Sequence, residues 1–210
     1  VPDARPYELT KLRTLNACHS LLAYVGGLAG LTTIAEAAAV PELGAAARHL
    51  ARWEVRPTLP PAEGVDHEQY TDTVLDRFAN PALRHTTRQV ASDGSLKIGP
   101  RLLGTVADTL GSPTAGSPAV ATLAIAAWLR WAVVGRADDG TPLDLADPAT
   151  PAMRAAAAGR TGVAAVRPAL EAAGVAPALL DDSRFTGLVE QWYAELGRGD
   201  ALATARLVSG

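Results

Sequence analysis

This chain predicts an all-α fold, and three observations carry that prediction. Alanine and leucine dominate at helical spacing. Runs of β-branched or aromatic residues at strand spacing are few, and proline, glycine and capping residues punctuate the sequence at helix-length intervals. With 210 residues, 48% hydrophobic and 20% charged, the chain can bury a core of its own, and 1–210 reads as a single multi-helix domain.

The elements follow in order. A first helix is expected from about Tyr7 to Tyr24, stopping at the Gly26-Gly27 pair. Thr33, with Glu36 three residues later, makes a capping box for a short second helix that ends before Pro41. A third covers Glu42 to Val55, after which Arg56 to Pro61 carries three prolines and reads as a surface linker. The next helix spans Asp66 to Phe78. Asn80-Pro81 sets a boundary, followed by a helix ending near Ala91 and the turn Ser92-Asp93-Gly94-Ser95, which delivers Lys97. Pro100 stands where a new helix should begin. Ala119 to Val134 reads as a central core helix, with Ser117 as N-cap and Pro118 at the first helical position. Arg130 interrupts this run, which is shorter than the roughly 20 residues of a membrane span. Arg136 to Pro142 is the clearest loop. Arg184 to Leu196 places Phe185, Leu188, Val189 and Trp192 on one face, and Arg198-Gly-Asp200 stops that helix and caps the last.

Composition narrows the function. A net charge of -3 gives no electrostatic reason to bind nucleic acid or an anionic membrane, so neither partner is expected. Cys18, the single cysteine, leaves no internal disulfide and no cysteine-rich zinc site, which points to a cytoplasmic protein with a space-filling thiol. His49, His67 and His85 lack the i, i+4 pairing of a helical zinc site, and no metal is expected. Trp128, Trp131 and Trp192 lie in apolar helices and read as core. Ser20 stands beside His19 without a base-and-carboxylate pair, so hydrolase chemistry is not indicated.

The lysines are more informative. Of 19 basic residues only Lys11 and Lys97 are lysine. Where arginine is the default cation, the surviving lysines are candidates for work that guanidinium cannot do, above all giving up a proton. At about 100° per residue, with Lys11 at zero, His19 falls near 80° and Asn16 near 140°, sharing one flank with Leu9, Leu12 and Leu15. Arg13, Thr14 and Ala17 take the other side. Polar groups on an apolar flank need partners, substrate or water, so the cluster suggests a pocket wall. Burial there would favour a neutral amine able to accept a proton, while the amide and imidazole could hold a reacting oxygen. That set suits carbonyl and alcohol interconversion. The same three residues could equally form a buried structural network in a non-catalytic ligand-binding or dimerisation module.

The segment Tyr7-Glu-Leu-Thr-Lys11-Leu-Arg-Thr-Leu-Asn16-Ala-Cys-His19 resembles the Lys-x4-Asn-x2-His signature of the mannitol dehydrogenase family, the zinc-independent long-chain polyol dehydrogenases and hexuronate reductases. A second block, Arg77-Phe-Ala-Asn80-Pro-Ala-Leu-Arg-His85 continuing to Ser92-Asp-Gly-Ser-Leu-Lys97, resembles the family's second signature region. The resemblance implies the helical C-terminal substrate domain of an oxidoreductase acting on a sugar alcohol or sugar acid. It further implies Lys11 as general acid and base, Asn16 and His19 as holders of the reactive oxygen, and Lys97 as a substrate ligand. Gln89 stands where polyol-oxidising relatives can carry arginine, with Arg88 adjacent, so both join the candidate substrate ligands. A carboxylate substrate would suit Arg84, Arg88 or Arg101 equally well. NAD(H) or NADP(H) would be bound mainly by an N-terminal Rossmann domain. Gly26-Gly27-Leu-Ala-Gly30 follows a helix rather than a strand, and the chain opens at Val1 with Met153 its only methionine. The expectation is therefore a substrate domain without its cofactor partner, inactive alone.

Overall fold

The computed structural model describes residues 3–208, among which helices predominate, joined by irregular connections. Extended pairing among them is limited to two isolated bridges, Thr33 with Thr86 and Arg136 with Pro142. The all-α expectation is borne out.

Helix α1 runs over 5–28 in three continuous pieces: Arg5–Thr10, a π-helical Lys11–Asn16, and Ala17–Leu28. It passes straight through Gly26-Gly27, where the sequence placed its end. Packing explains the difference. A Cβ at Gly27 would lie 2.2 Å from the Trp131 ring, and one at Gly26 would lie 2.8 Å from the Ala37 Cβ. The pair lets neighbouring elements reach the helix backbone, and the chain turns instead at Gly30, whose φ is +80°.

Helix α2 is Ile34–Ala39, and its capping box is present: Thr33 Oγ1 accepts from the Glu36 N–H at 3.1 Å, and Glu36 accepts from the Thr33 N–H at 3.0 Å. Helix α3 starts as Pro41–His49, widens into a π segment at Leu50–Val55 and closes with a 3₁₀ turn at Arg56–Thr58, which takes up the start of the expected linker. Helix α4, His67–Phe78, is capped by Asp66, which accepts from the N–H groups of Glu68 and Gln69. Helix α5 is Thr87–Ala91.

Helix α6 covers 94–111 as Gly94–Ile98, a π segment at Gly99–Leu103, and Gly104–Gly111. Pro100 therefore lies inside a helix rather than at its start. Proline lacks an N–H and crowds the carbonyl four residues back, and a widened π turn accommodates both defects. The π segment of α1 packs against those of α3 and α6.

The centre of the fold is α7, Ala119–Val134, which packs most heavily on α11 (Ser183–Leu196) and on α1. Around these lie α8 (Thr150–Ala157), α9 (Val166–Ala172), α10 (Pro177–Leu180) and α12 (Ala201–Arg206). Trp128, Trp131 and Trp192 are buried as expected, and Leu188 is only half-buried. Arg130, the interruption in α7, stacks its guanidinium over the Tyr193 ring at 5.7 Å. Cys18 is buried, with its thiol 3.4 Å from the Ala47 carbonyl and pushed up to about 12 by desolvation. Among the described residues no helix is long and apolar enough to cross a membrane.

Ser117 does not cap α7. Pro118 occupies the N-cap position, and the exposed N–H groups are met by Glu54, a residue of α3 that is 2% exposed. Its carboxylate accepts from Val120 at 2.7 Å and from Ala121 at 2.8 Å. A cap 66 residues away in sequence has no local signature. Burial pushes the Glu54 carboxyl up to about 7, against the pull of these two donors. The folded chain thus holds this proton more tightly than the unfolded chain, and Glu54 lowers folding stability as pH rises from 4.5 to about 7. Glu54→Gln should flatten that part of the stability–pH curve in urea titrations; an unchanged slope contradicts the assignment.

Candidate active site

The π segment of α1 reshapes the expected cluster. A π turn bonds residue i to i+5 rather than i+4, which adds about one residue's rotation and swings Asn16 and His19 back by about 100° relative to Lys11. The three side chains then share an arc of roughly 60° instead of roughly 140°. Arg13, directed to the other side as expected, is buried and pairs with Asp108 at 2.5 Å while donating to Thr58 Oγ1 at 2.9 Å. It fixes the helix against α6 and the turn that ends α3.

Lys11 and His19 line one cavity of about 200 Å³, together with Leu15, Ile34, Arg77, Phe78, Leu83 and His85. Each wall has a local cause. Helix α4 ends at Phe78 and presents Arg77. An Asx turn follows, with Asn80 Oδ1 accepting from the Ala82 N–H at 2.9 Å, and it carries the chain to Leu83 and His85. The His85 carbonyl accepts from the Ile34 N–H at 2.9 Å, and Thr87 N–H donates to the Thr32 carbonyl at 2.9 Å, tying this loop to the start of α2.

His19 is the most constrained group in the site. Its ring stacks on Phe78 with centroids 4.8 Å apart and planes at 24°, and it lies 5.7 Å from the His85 ring. Its Nε2 is buried without a hydrogen-bond partner among the described residues. Desolvation lowers its pKa to about 4, reinforced by the charges of His85, Arg101, Arg77 and Lys97. The imidazole is neutral near pH 7 and can give or accept one hydrogen bond at a ligand oxygen.

Asn16 is half-buried and Lys11 is exposed. This corrects the expected burial of the amine, which borders the cavity but stays exposed. Lys97 does not line the cavity. It donates to the Ser92 carbonyl at 2.6 Å, lies 3.6 Å from Asp93, and acts on His19 only through its charge. Gln89 also points elsewhere, because its side chain closes a capping box on α5, accepting from the Thr86 N–H at 3.2 Å. Arg88 pairs with Asp144 at 3.3 Å and borders a separate hollow of about 300 Å³. Of the expected ligands, Lys97, Gln89 and Arg88 are therefore not brought to the cavity. Arg84 is exposed and does not line it either, and Arg101 donates to Ser20 Oγ at 2.9 Å, bracing α6 against α1.

Buried Asp147 holds the start of α6. It accepts from the Ser95 N–H (2.7 Å) and hydroxyl (2.5 Å), the Trp128 indole N–H (3.1 Å) and the Ala149 N–H (3.0 Å). Desolvation pushes its carboxyl up, but these donors together outweigh it and the net shift is downward.

Sequence reasoning did not assign roles to Arg77, Phe78 or His85. The available signal was position: two basic residues flank a proline-broken stretch that cannot be helical throughout, so both emerge near one turn. Among the described residues no group of three or more His, Cys, Asp or Glu side chains could hold a metal ion.

A helical domain thus sets the buried Nε2 of His19 and the amine of Lys11, both from α1, on the wall of one small cavity. The chain belongs to the mannitol dehydrogenase C-terminal domain family, whose profile matches residues 3–196. It is 38% identical over 197 residues to D-mannonate oxidoreductase of Escherichia coli, covering 93% of this chain and 40% of that protein. It is 40% identical over 157 residues to mannitol dehydrogenase 2 of Saccharomyces cerevisiae, covering 75% of this chain and 31% of that protein. Mannitol 2-dehydrogenase of Pseudomonas fluorescens, solved as a ternary complex with NAD and D-mannitol, superposes with a TM-score of 0.90 at 26% identity, over 99% of this chain and 41% of that chain. The chain thus spans less than half the length of the relatives it matches.

Proposed function

We propose that this chain is the substrate-binding, acid–base part of an NAD(H)- or NADP(H)-dependent oxidoreductase that interconverts a secondary alcohol and a ketone on an open-chain polyol or sugar acid. The observation that carries this reading is the buried, unpartnered Nε2 of His19, set into the same cavity wall as Lys11. An orphan polar atom in a small cavity is satisfied when a ligand oxygen reaches it. In oxidation Lys11 accepts the proton of the alcohol, and in reduction it returns a proton to the alkoxide oxygen. Asn16 donates to that oxygen as its negative charge grows, and His19 keeps it in register with the amine. The relatives' chemistry supports this assignment, since those named above are oxidoreductases of mannitol or mannonate.

The residues present do not fit a dinucleotide cradle. Among the described residues no strand leads through a glycine-rich turn into a helix, and Gly30 follows a helix. A nicotinamide nucleotide supplies or accepts the hydride, and we propose that a separate Rossmann segment binds it and covers the exposed Lys11. The test is turnover. This domain joined to such a segment should oxidise or reduce at least one of mannitol, arabinitol, fructose and fructuronate with NAD(H) or NADP(H), and the 210-residue chain alone should not. No nucleotide-dependent turnover on any of the four contradicts the proposal.

A further inference from the structure

We infer that Phe78 is a positioning residue: its ring, stacked on the His19 imidazole, sets the plane of that imidazole in the cavity wall and shields its face from water. As a role in the reaction this rests on the function proposed above; as a role in holding His19 it does not.

The first observation is how the Phe78 ring is itself held. Phe78 is the last residue of α4 and is buried, completing a stripe with Thr71, Val74 and Leu75. Of these four side chains, Phe78 is the one that lines the cavity. The helix stops directly behind it: the Ala79 N–H donates to the Leu75 carbonyl at 3.1 Å, and the Asn80 N–H to the Arg77 carbonyl at 3.3 Å. A ring on fixed backbone in a close-packed setting makes a rigid surface for its neighbour.

The second observation is what His19 lacks. Its Nε2 has no hydrogen-bond partner among the described residues, so no bond at that nitrogen orients the imidazole. Orientation falls to packing. The Phe78 ring lies 4.8 Å away, centroid to centroid, with the planes at 24°, whereas the His85 ring is farther at 5.7 Å and tilted by 40°. The nearer, more nearly parallel contact is the one that fixes the plane.

The third is the source of the imidazole's neutrality. Desolvation is the largest cause that lowers the His19 pKa to about 4, and a face covered by hydrocarbon cannot be hydrated. The other causes are charges: His85 from the loop after α4, Arg101 and Lys97 from α6, and Arg77 from α4 itself. Lys11 also borders the cavity, from α1. Removing the Phe78 ring leaves every one of these charges in place, so the substitution separates shielding from charge. An imidazole kept neutral and fixed in plane offers a hydrogen bond in one direction, which is what a reacting oxygen beside Lys11 needs.

The experiment combines an NMR pH titration of the His19 ring in the 210-residue chain with kcat/KM against pH in the two-domain protein. Phe78→Met removes the ring while keeping an apolar side chain, and His19 should then titrate about one pH unit or more above its wild-type midpoint. In the two-domain protein the same change should lower kcat/KM about tenfold or more, because the imidazole is no longer aligned. Its acid-side decline should move up in pH with the His19 midpoint. Phe78→Tyr keeps the ring and should restore most of both. Val74→Ala truncates a buried residue of the same stripe that does not line the cavity; it should lower stability and leave the His19 titration in place. Circular dichroism and urea titration check that each variant is folded. An unmoved His19 titration in Phe78→Met, an equal shift in Val74→Ala, or no recovery in Phe78→Tyr overturns the inference. A shifted titration with an unchanged kcat/KM profile overturns the role in the reaction. Absence of turnover in the wild-type two-domain protein sinks the proposed function instead, and the ring titration then still decides whether Phe78 holds His19.

Discussion

Lys11→Met, made in the protein that unites this domain with its nucleotide-binding segment, should lower kcat by about 10²–10⁴-fold, the usual contribution of a positioned acid or base. KM should move far less, because the amine acts on the reacting proton rather than on the bulk of the ligand. Lys11→Arg should not rescue the rate: guanidinium keeps the charge but does not release its proton in this range. Since Lys11 is exposed and has no ion-pair partner among the described residues, neither change should alter folding. Steady-state rates with urea titrations on the same preparations separate the two effects. A variant retaining more than a tenth of the wild-type kcat would remove Lys11 from the chemistry.

Asp147→Ala should cost the fold about 2–4 kcal/mol, because it strands the Trp128 indole N–H in the core and strips the Ser95 N–H at the start of α6. Asp147→Asn keeps an acceptor of the same size and should lose less. The consequence extends beyond stability, since α6 carries Lys97 and Arg101, two of the charges that act on His19. The midpoint of urea unfolding measures the first effect, and the titration of the His19 ring measures the second. A stability change under 1 kcal/mol would mean that the four hydrogen bonds to Asp147 are replaced by water.

Much of the fold was legible because its signals are local. The Thr33–Glu36 box, the Asp66 cap, the Asp200 cap and the apolar run of α7 each declare themselves within a few residues. What was not legible depends on tertiary contact. Gly26-Gly27 has the composition of a helix stop, and only the approach of Trp131 and Ala37 shows it to be a packing surface. The cap of α7 comes from Glu54 on another helix. The π turns have no simple sequence mark apart from Pro100, yet the first of them narrows the arc shared by Lys11, Asn16 and His19. The site was half legible for the same reason. The spacing in α1 identified its helical wall, while Arg77 enters from the end of α4 and His85 from a loop whose path is fixed by contacts with α2. Gln89, chosen by position in the chain, is consumed by a local hydrogen bond.

A crystal structure of the two-domain protein with an open-chain ketose acid or its alcohol bound would decide whether Lys11 and His19 serve one reacting oxygen. That oxygen should lie within about 2.6–3.2 Å of both His19 Nε2 and Lys11 Nζ, with Asn16 donating to it. A ligand seated elsewhere, with His19 Nε2 still unpartnered beside an empty cavity, would contradict the assignment.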